Sequence, residues 1–245
     1  MDRMIYTAMT GAKAMEQRQH ALSNNLANAS TNGFKADVEA FRAVPLIAEG
    51  AATTRVFAVE ATAGFDTAVG PIRQTDSPLD VAIRSEGFFA VQGPDGEELY
   101  TRNGAFVIGS DGMLQTADGR QVLGDGGPIN VPDGATVVIG SDGSVGAQVG
   151  QEPPIAVGRF KMVNPPADEM TKIGHGMFKM INGEPAPVDE QVTVVGGALE
   201  GSNVNVVEAM VGMIAVSRQF EMQMRMIQNA ESNDSRATTI LSRNG

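Results

Sequence analysis

Residues 4–29, MIYTAMTGAKAMEQRQHALSNNLANA, decide the architecture, because Ile5, Ala8, Ala12, Met15, Gln19, Leu22, Leu26 and Ala29 fall at alternating spacings of three and four. That is the heptad seam of a helix that packs on other helices. Asp2 complements the positive end of the helix dipole. Ser30-Thr31-Asn32-Gly33 supplies the turn chemistry that stops the helix. The seam is thin, with alanine at several positions and Gln19 inside it. A lone helix of this kind is marginal in water and is expected to order only against partners.

The opposite end carries the counterpart. Asn205 followed by Glu208 is a variant of the capping box and starts a second helix near Val206. From there Val206, Met210, Met213, Ser217, Phe220, Met224 and Ile227 make one apolar stripe, and Val204, Val207, Val211 and Ile214 make a second beside it. Such a face is wider than one partner helix requires. Met222 and Met226 lie off the first stripe, and unbranched thioethers adapt to non-identical neighbours. A helix over 205–241 is about 55 Å long.

Between the ends the pattern changes to short apolar runs separated by Asp-Gly turns. Strands are expected at Asp80–Ile83, Phe88–Gln92, Leu99–Arg102, Ala105–Ile108, Met113–Gln115, Gln121–Leu123, Thr136–Ile139, 155–163 and 177–181. Asp95-Gly96, Asp111-Gly112, Asp118-Gly119, Asp133-Gly134 and Asp142-Gly143 supply the positive φ that tight hairpins require. Residues 33–75 show no sustained period and are expected to form an extended connector with one or two strands, pairing with 188–199. The fold class expected is α+β: N- and C-terminal helices forming a coiled-coil layer, with a central antiparallel β domain built as a small barrel or sandwich. The corresponding division is 1–32 with 202–245 for the helices, 33–78 with 185–201 for the connector, and 79–184 for the β domain.

Charge is segregated. The chain carries a net −11, and the whole of it lies in residues 45–199, while the two ends are close to neutral. Neutral ends can pack on copies of themselves, whereas an acidic middle stays solvated. An acidic balance excludes the basic stripe that nucleic acid binding requires. The absence of cysteine removes disulfides, thiol nucleophiles and thiolate metal sites. No apolar run is long enough to span a membrane.

Catalytic chemistry finds no foothold. His20 and His175 are the only histidines, and each reads as a surface or turn residue. No metalloprotease, nucleophile-elbow or phosphate-loop motif is present. Gly124-Asp125-Gly126-Gly127 is a turn, and none of the Asp-Gly segments fits a calcium loop. Glu97-Glu98 and Asp189-Glu190 read as solvated turn carboxylates. No catalytic, cofactor-binding or metal-binding residue is therefore assigned. A ligand-binding β domain with helical oligomerisation ends is the competing class, but it needs an aromatic-lined pocket, and the chain has no tryptophan.

Three stretches carry a family resemblance. These are Asn24-Asn25-Leu26-Ala27-Asn28-Ala29-Ser30-Thr31-Asn32-Gly33-Phe34-Lys35, then Tyr100-Thr101-Arg102-Asn103-Gly104-Ala105-Phe106 after Glu86-Gly87-Phe88-Phe89, and Leu199-Glu200-Gly201-Ser202-Asn203-Val204-Asn205-Val206-Val207-Glu208. Together they resemble the bacterial flagellar basal-body rod family, over nearly the full chain and in the right order. Asp2–Ala12 and Phe41–Pro45 look most like its proximal rod members; distal rod and hook-type axial proteins are the alternatives within the family. The resemblance implies a structural subunit that is not an enzyme and has no cofactor. It self-assembles through its terminal helices and transmits torque along the axial structure. The partners implied are proximal and distal rod subunits, copies of the chain itself and the flagellar export apparatus. Nucleic acid and membrane insertion are not implied. The location implied is the periplasmic rod of the basal body, reached without a cleaved signal peptide. The assembly residues expected are Ile5, Ala8, Ala12, Met15, Leu22 and Leu26 on the first helix, with Val206, Met210, Met213, Phe220, Met224 and Ile227 on the second.

Overall fold

Phe88–Gln92 runs inside a five-stranded antiparallel sheet ordered Met162–Val163, Phe88–Gln92, Glu98–Thr101, Met177–Met180, Met170–Gly174. The structure is a computed structural model that describes residues 2–45, 56–150, 152–174 and 176–243, with side chains described except at 2–5, 41–45, 56–63, 234, 237, 238 and 240–243. Successive residues of a strand face opposite sides. Phe89, Val91, Leu99 and Met177 therefore enter one core with Val81, Ile83, Phe106, Leu114 and Phe160. Phe88, Ala90, Tyr100 and Phe178 enter a second core with Phe65, Met170 and Met180. Burial on both faces explains why this strand reads as an unbroken apolar run. Each core has an aromatic centre: Phe89, Phe106 and Phe160 lie 5.3–5.5 Å apart, and Phe65, Phe88 and Phe178 lie 4.5–6.3 Å apart.

The described chain forms two units. One comprises Met1–Ala27, Asp37–Ala63 and Asn205–Gly245, the other Asn28–Ala36 and Gly64–Val204. The first holds helices α1 (Asp2–Ala27) and α2 (Val206–Arg243), with strand Asp37–Pro45 and most of its partner Val56–Phe65, whose last two residues belong to the second. The second holds the five-stranded sheet, a three-stranded sheet of Thr136–Ile139, Ser144–Gln148 and Ile155–Arg159, and several two-stranded pairs. The fold is thus α+β, with a helix at each end and a central antiparallel sheet region.

Most expected strands appear within a residue or two, and Asp-Gly turns close them, as at Gly112 (φ 76°) and Gly143 (φ 83°). Two expectations need correction. Residues 155–163 are not one strand: Ile155–Arg159 belongs to the three-stranded sheet and Met162–Val163 to the five-stranded one. At the handover Phe160 N–H donates to Gly143 O and Lys161 N–H to Leu123 O, so the backbone changes partners without losing bonds. In 33–75, the segments 37–45 and 56–65 pair with each other, and only Ile72–Gln74 reaches the late segment, at Ala198–Glu200. Val194–Gly196 pairs instead with Val81–Ile83. The strands Ser144–Gln148 and Met170–Gly174 were not expected, since glycine and single polar residues blur their alternation.

Candidate assembly interface

Asn205 caps α2 with its side chain: Oδ1 accepts from Val207 N–H at 3.1 Å and from Glu208 N–H at 3.2 Å. Two of the helix's orphan donors are satisfied in this way. α1 runs antiparallel to α2. A Cβ on Gly11 would stand 3.3 Å from the Gln223 side chain, and one on Gly212 would stand 3.3 Å from Leu22. Gly11 thus faces the middle of α2 and Leu22 its start. The buried residues of the pair are small, with Ala8 on α1 and Ala209, Val216 and Ala230 on α2, all at most 5% exposed. Small residues let two helix backbones approach closely.

This seam is not either of the apolar stripes anticipated on α2. Residues 209, 212, 216, 223 and 230 centre about a quarter turn from the middle of the first stripe, whose edge at Met213 and Ile227 borders them, and further still from the second. Of the expected assembly residues, Val206, Met210, Phe220 and Met224 are exposed, while Met213 and Ile227 are half-buried. On α1, Ala8 is buried and Ala12, Met15, Leu22 and Leu26 are half-buried; the side chain of Ile5 lies outside the described residues. The second stripe is barer still, with Val207 70%, Val211 61% and Ile214 57% exposed. Met222 and Met226 are also exposed. Contiguous apolar surface of this extent on one helix is unusual for a lone chain in water.

The polar residues of the signature stretches are brought together in the second unit. Glu200 Oε1 accepts from Lys35 Nζ at 2.9 Å and from Gly70 N–H at 2.8 Å, and its Oε2 accepts from Arg102 Nε at 2.6 Å. All three charged side chains are 1% exposed. Lys35 also donates to the carbonyls of Thr67 and Ala68, and Arg102 to those of Ser85 and Gly87. Burial, with Arg102 adding to it, holds the Lys35 ammonium below the usual lysine range, and Glu200 opposes that shift. Around this triad Asn203 Oδ1 accepts from Ala36 N–H, while its amide donates to the carbonyls of Asp66 and Ala68. Lys172 Nζ donates to Lys35 O at 2.8 Å and stands 3.7 Å from the centre of the Phe34 ring. Gly33 has to be glycine: its φ is 69°, and a Cβ there would stand 2.4 Å from the Arg102 backbone.

Within the first unit, Asn25 Nδ2 donates to Asp37 O and its Oδ1 accepts from Asp37 N–H, while Asn24 Nδ2 donates to the Asp37 carboxylate. The asparagines that end α1 therefore anchor the start of the first strand. The sequence marked these stretches as family features but assigned Lys35, Arg102, Glu200 and Asn203 no role. Each is a polar or charged side chain in a short stretch with glycine nearby, and nothing local says which partner it meets.

The remaining candidates stay apart. His20 is exposed on α1, and His175 lies outside the described residues. Glu98 pairs with Lys161 at 2.7 Å, a partner the turn reading did not anticipate. Among the described residues no group of three or more His, Asp or Glu side chains is placed to hold a metal ion, and no helix is long and apolar enough to cross a membrane.

Comparison with known proteins follows the same three stretches. Residues 5–35 match the family model for flagella basal body rod proteins, 82–147 that for the flagellar hook protein FlgE/F/G D1 domain, and 195–240 that for the C-terminal part of flagellar basal body rod FlgEFG proteins. The flagellar basal-body rod protein FlgF of Salmonella typhimurium is 41% identical over 99% of both chains. Its counterpart in Escherichia coli is 42% identical over the same shares. The flagellar basal-body rod protein FlgG of Buchnera aphidicola (subsp. Schizaphis graminum) is 31% identical, covering 93% of this chain and 95% of the relative.

Proposed function

The chain belongs to the flagellar basal-body rod protein family, as a structural subunit resembling FlgF, and from that premise we propose that it joins its neighbours through the exposed faces of α1 and α2. Its neighbours are proximal and distal rod subunits and further copies of itself. The joined helices form a coiled-coil layer at the axis, and the assembled rod transmits torque. The higher identity to FlgF than to FlgG supports a proximal position. Delivery through the flagellar export apparatus to the periplasmic rod belongs to the same reading.

The carrying observation is the apolar surface that α2 leaves bare once α1 has covered its small-residue seam. Burying one large apolar side chain stabilises by roughly 1.5–3 kcal/mol. That gain, summed over several side chains per subunit, is set against the entropy of fixing two helices on their neighbours. Phe220→Asp is the test. The variant is expected to keep the thermal unfolding of the sheet unit and to fail to enter rods in isolated basal bodies. Rods of normal length containing it would overturn the reading.

A further inference from the structure

Arg218, Arg225 and Arg236 are spaced by seven and eleven residues. On a helix with 3.6 residues per turn both intervals return to within about 20° of one line. Arg243 continues the spacing by a further seven. The line lies on the side of α2 away from the seam with α1 and extends the stripe begun by Val207, Val211 and Ile214. All three arginines are exposed, and none makes an ion pair among the described residues. Glu208, Glu231 and Asp234 fall on other faces of the helix. Glu221, one turn from both Arg218 and Arg225, pairs with neither. Over the described positions the line is about 27 Å long.

Unpaired guanidinium groups in a row call for carboxylates, which they bind in a bidentate fork. The chain itself has them in excess. The entire net charge of −11 lies in residues 45–199, and the turn residues Asp95 and Asp111, each between paired strands, and Asp133, in the turn before Thr136–Ile139, are exposed. Asp95 and Asp133 make no ion pair among the described residues. An exposed turn carboxylate is open to a guanidinium from another molecule.

We propose that the arginine line of α2 docks the exposed acidic turns of a second copy's sheet unit, with Val207, Val211 and Ile214 closing the apolar end of the same contact. This rests on the reading of the helices as assembly elements. The line adds what the apolar stripes lack, since oil-like faces fix neither register nor direction, whereas charges at fixed intervals do both.

The test uses the full-length protein in sedimentation measurements of self-association at about 50 and about 500 mM NaCl, where screening shortens from over 10 Å to about 4 Å. Wild type is expected to associate about tenfold more weakly in the higher salt. The triple variant R218E/R225E/R236E is expected to be weakened about tenfold in low salt and to lose its salt dependence. Mixing it with D95K/D133K should restore association, because the reversed charges meet again. A triple variant that associates like wild type overturns the proposal. Loss without restoration in the mixture overturns the assigned occupant. If the triple variant keeps its self-association but loses binding to phosphatidylglycerol vesicles, the line serves a membrane surface and the proposal fails. Phe220→Asp, run beside these, separates the two readings. If it associates normally, the helices are not the assembly elements. If it alone loses association, only the arginine inference falls.

Discussion

Glu200 is one carboxylate serving an ammonium, a guanidinium and a backbone N–H, all withdrawn from water. Removing its charge strands two buried cations, and breaking a buried pair in this way costs about 3–5 kcal/mol. Glu200→Gln, nearly isosteric, is therefore expected to lower the unfolding free energy of the sheet unit by that amount in a denaturant titration. Replacing Lys35, Arg102 and Glu200 together by Met, Met and Leu should cost less than the single change, because no orphan charge remains. Tyr100 gives a pH signature. Its hydroxyl accepts from Ala186 N–H at 2.7 Å, and burial pushes its pKa up from 10.0 to about 12. The folded state then holds a proton that the unfolded state releases above 10.0. Its contribution is complete below pH 10 and is lost as pH rises toward about 12. The difference in stability between wild type and Tyr100→Phe should shrink over that window, and a flat difference would contradict it. None of this network was legible in the sequence. Lys35 and Glu200 are 165 positions apart and Arg102 is 98 from Glu200, so only the folded chain shows that three family stretches share one carboxylate.

At the scale of single elements, local chemistry was read well. Asn205 was expected to start α2 and does so with two side-chain bonds, although Glu208 was not found reaching back to complete the box. Asn205→Ala should cost about 1 kcal/mol of helix stability. Hydrogen exchange would show it as faster exchange confined to the first turn of α2, and unchanged protection there would contradict it. Strands with apolar alternation or Asp-Gly ends were legible for the same reason, because their signals span four to six residues. The pair Asp37–Pro45 and Val56–Phe65 was not placed, since its alanines and threonines carry little patterning. On α2 the apolar stripes were visible, but the residues that meet α1 were not. A seam of Ala209, Gly212 and Val216 carries almost no hydrophobic signal, and close approach rather than apolar bulk selects it.

For the molecule as a whole, the first unit draws on both ends of the chain, and the second lies between them in sequence. The two differ in how they hold themselves. The sheet unit has two filled cores with aromatic centres, whereas the helical pair is closed mainly by alanine and glycine. Local opening is easier where little apolar surface is buried. Limited proteolysis of the free monomer is expected to remove residues 1–27 and 205–245 first and to leave the sheet unit, as followed by mass spectrometry. Helical ends that outlast the sheet unit would contradict it. The carboxylate triad also sets an order in time. A polypeptide emerges from its N-terminus, so Lys35 and Arg102 exist long before Glu200 does. Until that late residue arrives the two cations have nothing to neutralise them inside the core. A chain cut short anywhere before position 200 carries a built-in objection to folding, so the triad lets the sheet unit close only once the chain has run as far as the threshold of its last helix.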